Sequence, residues 1–98
     1  MSENLDENFF ERADAHIQLS NEQLAAASPG KVSASMMYAT ARFNAWWTAC
    51  GFSSESDMAA RRDENIEYFV NQYRAALEEN MDDYIRNFDA YMRPGKDG

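Results

Sequence analysis

The chain has one cysteine, one histidine, two prolines, four glycines and no unbroken apolar run long enough to cross a bilayer. Each shortage excludes something. The single cysteine, Cys50, allows no internal disulfide and no zinc site of paired cysteines, and fits a reducing compartment. The single histidine, His16, leaves no Glu-x-x-His pair of the kind that dinuclear metal bundles use, and no Gly-rich phosphate loop is present. Residues 32–52 have the length of a bilayer span, but Ser33, Ser35, Thr40, Arg42, Asn44 and Thr48 make them a poor membrane helix. The first thirty residues carry acids where an export signal needs a basic start and an apolar centre, so a cytoplasmic location is expected. Basic residues are scarce too: nine against seventeen acids give a net charge of −8, which repels phosphate backbones and anionic lipid. Neither nucleic acid nor a membrane is an expected partner.

What is there is apolar and aromatic. With 45% hydrophobic residues and 13% aromatics the chain is too rich for disorder, and 98 residues point to a single helical domain spanning 1–98. At this size a monomer buries only about 60–65% of its unfolded surface, so oligomerisation would help. The Pro and Gly residues at 29–30, 51, 94–95 and 98 punctuate three predicted helices, at about 5–27, 30–50 and 54–92, with 93–98 a flexible tail. Helix 1 has Asn4 and Glu7 as a capping pair, and its apolar stripe is Phe10, Ala13, Ile17 and Leu24. In helix 2, Val32, Met36, Ala39, Phe43, Trp46 and Cys50 form a seam, with Cys50 expected to be buried as a small hydrophobe. Gly51 is read as a left-handed cap, and Ser54 with Asp57 as the capping pair of helix 3.

Helix 3 has no Gly or Pro across 54–93, while Ile66, Val70, Tyr73, Leu77, Met81, Tyr84 and Phe88 recur at spacings of four and three. A helix of that length would run ~57 Å against about 30 Å for each of the others, leaving half of it unpartnered within its own chain. The overhanging stripe of Leu77, Met81, Tyr84, Ile85, Phe88, Tyr91 and Met92 is too large to leave in water, and with Trp47 it is the expected oligomer interface. A break near Asn80, folding the last turns back as a fourth helix, is the alternative. The fold expected is all-α: a three-helix unit with a long C-terminal helix, assembled into a homo-oligomeric bundle, dimer or tetramer.

The run "FFERADAHIQLSNEQ" followed by "VSASMMYATARFNAWW" resembles a family of short bacterial proteins catalogued as a domain of unknown function, number 3144, over about residues 8–90. The resemblance implies a small helical bacterial protein and supplies no catalytic residues.

Candidate chemistry centres on Arg42, one of two charged residues in a 32-residue span, Gln23 to Ser54, that has no acid. Tyr38 lies four residues before it and Trp46 four after, so cation–π stacking is expected, worth about 0.5–2 kcal/mol. If the helices form antiparallel hairpins, Asp14, His16, Asp63 and Glu64 come to the same layer. Three roles stand open for Arg42: a carboxylate pair that fixes helix register, an anion or small-ligand site with His16 and the aromatics, or an exposed partner contact. Trp46 and Trp47 point about 100° apart, so one is expected in the core and the other needs separate cover. "EENMDD", residues 78–83, reads as a solvated face with Arg74–Glu78 and Arg86–Asp82 ion pairs rather than a metal site. No catalytic residue, metal or cofactor is assigned. The leading expectation is a non-enzymatic, self-associating interaction module whose acidic faces dock other proteins. Its alternatives are a ligand-binding protein using the Tyr38–Arg42–Trp46 column and an acidic nucleic-acid mimic.

Overall fold

A computed structural model describes residues 6–95, and Asn4 lies outside them. The described residues form five helices: α1 (Phe9–Gln23), α2 (Pro29–Ala49), α3 (Glu55–Ala60), α4 (Arg62–Arg86) and α5 (Phe88–Met92). They fall into two units, one reaching Trp47 and the other beginning at Thr48.

In the first unit α1 starts later than its periodicity suggests. Its cap residue, Asn8, makes no side-chain capping bond. The segment before it is held by other means: the carbonyl of Asp6 accepts the Phe9 N–H at 3.1 Å, and the Asp6 carboxylate takes both arms of the Arg12 guanidinium at 2.9 and 3.2 Å. That two-armed hydrogen bond, aided by the positive charge, lowers the Asp6 pKa and raises that of Arg12. Beyond Gln23 the chain tightens into turns, with Leu24 and Ala25 donating to carbonyls three residues back, so α1 stops short of residue 27.

Pro29 stands at the expected break between the first two helices and opens the second of them, one residue earlier than the spacing suggests. It is the first residue of α2, where a missing N–H costs nothing, and Ser28 Oγ accepts the Lys31 N–H at 3.4 Å as the cap. α1 and α2 approach where the Ser20 hydroxyl meets the Met36 sulfur at 3.2 Å. Val32, one turn before Met36, is the buried apolar residue among those described, at 6% exposure. At the other end Gly51 has no positive φ; its N–H closes a tight turn on the Thr48 carbonyl at 3.0 Å, which any residue type can make. Cys50 sits in this turn, past the last helical residue, and is exposed rather than buried.

The second unit opens with the expected cap: Ser54 Oγ accepts the Asp57 N–H at 3.1 Å. The long predicted helix is present in three pieces. Its interruptions are single residues, Arg61 and Asn87, neither of them Gly or Pro. At Arg61 the N–H reaches back three residues to Met58, while its carbonyl accepts both the backbone N–H and the side-chain amide of Asn65. At Asn87 the backbone N–H and the side-chain amide both bond the Asp83 carbonyl. Asparagine side chains that compete for backbone carbonyls in this way unsettle helix geometry. Asn80 bonds the Ala76 carbonyl similarly at 2.8 Å, yet α4 runs through it without a break, against the folded-back alternative.

Two outcomes are expected from these contacts. Val32→Ala removes two buried methyl groups and should lower thermal stability by about 1.5 kcal/mol, read by chemical denaturation. Gly51→Ala, whose added methyl would meet the Thr48 carbonyl at an ordinary 3.5 Å, should leave stability unchanged or slightly raised.

Candidate interaction surface

The apolar residues of α4 recur at spacings of four and three, and on a helix that spacing gathers them on one face. The structure leaves this face open: Ile66 is 45% exposed, Leu77 39% and Met81 56%. An open depression runs along it, lined by Val70, Tyr73, Leu77 and Met81 with Arg74, Glu78 and Asp82 on its rim. An apolar floor with charged side chains beside it is also the make-up of many protein–protein interfaces.

The acids around it are used unequally. Glu64 pairs with Arg61 at 3.1 Å and Asp63 with Arg62 at 2.7 Å, both near the start of α4 and both solvent-exposed. Such pairs contribute little to stability. Arg86 is 4.0 Å from Asp83 rather than bonded to Asp82, because three residues bring the two side chains onto the same flank as readily as four. Arg74 forms no ion pair with Glu78 among the described residues.

Asp83 is the best-connected side chain here. Its Oδ1 accepts from the Asn87 amide at 2.8 Å and its Oδ2 from the Tyr91 hydroxyl at 3.0 Å. The break at Asn87 is what brings Tyr91, eight positions on, within reach. The Tyr91 ring lies 4.6 Å from that of Tyr84, and Arg93 both pairs with Asp89 at 3.1 Å and stands 5.6 Å over the Phe88 ring. Donating to a carboxylate favours the protonated phenol, and the nearby negative charge adds to the effect, so the Tyr91 pKa is raised. The Asp83–Asn87–Tyr91 contacts lie across the helix interruption and carry no sequence signal, whereas Asp89–Arg93 has the four-residue spacing of a helical ion pair.

The Arg42 layer is divided between the units. Asp14, His16, Tyr38, Arg42 and Trp46 belong to the first, Asp63 and Glu64 to the second. Within the first unit no ion pair or hydrogen bond joins Arg42 to Asp14 or His16 among the described residues. Trp46 lies against Phe43, at 5.4 Å between ring centres, where stacking on Arg42 was expected. Both tryptophans are exposed, Trp46 by 60% and Trp47 by 47%. Among the described residues no group of three or more His, Cys, Asp or Glu side chains is gathered around a point that would hold a metal. No described helix is long and apolar enough to cross a membrane.

Residues 9–85 match the family described as "Protein of unknown function (DUF3144)". Among solved structures, the NMR structure of the protein NB7890A from Shewanella sp. is similar, with a TM-score of 0.76 and 39% identity over 93% of this chain and 97% of that one. No curated protein sequence matches the chain.

The Tyr91–Asp83 bond gives a direct pH signature. A raised pKa in the folded state means that the bond's contribution is complete below the ordinary tyrosine value of about 10 and is lost as pH rises through the folded value. Following the Tyr91 ring carbon by NMR should show a titration above that of free tyrosine, and Asp83→Asn should bring it back down. A midpoint unmoved by the substitution would assign the shift elsewhere.

Proposed function

The chain belongs to the DUF3144 family, whose description assigns no activity, and from its own residues we propose that it is a non-enzymatic module that associates with copies of itself. The observation that carries this is the apolar face of α4, with Tyr73 and Met81 more than half exposed and Tyr84 half exposed. Contiguous apolar surface of this kind marks an interaction site. Leu77 and Met81 are already partly covered, so burying the rest contributes less than the ~1.5–3 kcal/mol of full burial for each, and the whole seam is needed to offset the cost of association.

Support for the non-enzymatic part comes from the residues that would otherwise do chemistry. His16 is exposed on α1 and Cys50 is exposed in the turn after α2, and neither side chain has a hydrogen-bond partner among the described residues. A general acid or a nucleophile needs a partner that orients it and tunes its pKa. The acids that α4 and α1 turn outward, Glu11 and Glu79 among them, keep the assembled protein soluble and offer a surface to basic partners.

Sedimentation equilibrium at micromolar concentration should give a mass above that of one chain, and Leu77→Asp should return it to that of a monomer with helical content retained. A wild-type chain that stays monomeric through the high micromolar range ends the reading. A melting temperature that rises with protein concentration is the expected companion result, because association stabilises by mass action.

A further inference from the structure

The α4 seam has a symmetry that constrains how a second copy would lie on it. Counted from Leu77, Tyr73 and Met81 stand four positions away on either side, and Val70 and Tyr84 seven positions away. With 3.6 residues per turn all of these fall within about 40° of the Leu77 direction. The pattern therefore reads the same in both directions along the helix. A surface with this property is complementary to itself when turned end for end about a twofold axis through its centre, as a closed dimer interface requires.

Charge distinguishes this arrangement from the parallel one. Residues 78–83 carry four acids, Glu78, Glu79, Asp82 and Asp83, whereas residues 71–76 carry a single charge, that of Arg74. Parallel pairing in register sets the acidic segment beside its own copy. Turning one helix about Leu77 sets it beside the segment that holds Arg74. On the helix surface Arg74 and Glu78 lie on the same flank, at about 60° and 100° from Leu77, and the twofold axis brings that flank against the same flank of the second copy. Arg74 of one copy then lies within about 3 Å along the axis of Glu78 in the other, twice over by symmetry. Both side chains are exposed on the rim of the α4 depression, and neither has an ion-pair partner in its own chain among the described residues. Opposed helix dipoles favour the same choice.

Resting on the self-association reading above, we propose that two copies of the chain pair antiparallel along α4, about a twofold axis at Leu77, with Arg74 of each facing Glu78 of the other. The occupant of the α4 face is thus a second copy, and its orientation is fixed by the order of charges rather than by the apolar residues, which fit either way.

Spin labels distinguish the orientations without touching the seam. In a Cys50→Ala background, Glu67→Cys places a label on an exposed position ten residues from Leu77. Antiparallel pairing separates the two labels by ~30 Å along the axis, and parallel pairing leaves them side by side with only the helix spacing of about 10 Å and the label arms between them. A long distance is the expected result. A short one overturns the antiparallel arrangement while leaving self-association standing, and a monomer by sedimentation removes both. A second measurement uses intact, unlabelled chains. Mixing Arg74→Glu with Glu78→Arg chains should yield mixed dimers well above the statistical half, because both contacts become attractive only in the mixed pair. A statistical mixture overturns the Arg74–Glu78 contact.

Discussion

A single α-helix cannot bury its own apolar stripe, and the proposed role of this chain follows from that constraint. α4 carries a complete seam from Ile66 to Tyr84 and touches its chain neighbours α3 and α5. Those two helices have six and five residues, too few to cover a seam of that length. Leu77 is 39% and Met81 56% exposed, and the proposed role rests on that exposure. The acids bear on which surfaces would accept it: a net charge of −8 opposes phosphate and anionic lipid, and on the proposed reading two copies meet well only where like charges are kept apart.

Much of the fold was legible because its signals are local. The all-α class, the second helix ending near Ala49, the cap at Ser54 and the seam of α4 all rest on interactions within one or two turns, and spacing alone reports those. The family resemblance was legible for a different reason. "YATARFNAWW" orders its aromatic, small and basic residues in a way that helix periodicity does not demand.

What escaped is not reported by spacing. Arg61 and Asn87 interrupt a run without Gly or Pro; asparagine amides at 65 and 87 bond carbonyls that the helix also uses, yet Asn80 makes the same bond where α4 continues, so that bond does not account for the breaks. Ser28-Pro29-Gly30 does break the pattern, and the detail that spacing leaves open is that Pro29 itself opens the next helix, capped by the Ser28 bond to the Lys31 N–H. Cys50 completed a spacing whose last member lies one residue past the helix, so the period extended further than the element that produced it. The candidate layer around Arg42 rests on antiparallel hairpins turning at 29–30 and 51–53, which set levels along the helices. Level does not determine which way a side chain turns, and Trp46 turned toward Phe43.

The hydrogen bonds of this chain also bear on how quickly its structure is reached. Apart from the Ser20–Met36 contact, the side-chain bonds described above join residues no more than eight positions apart. Bonds that close such short loops form within microseconds, since little chain entropy is lost in making them. Pairing two α4 faces is instead a bimolecular event, whose rate depends on how often copies meet. The helices would then be in place long before the assembly, and the time to reach the final state would be set by concentration rather than by the length of the chain.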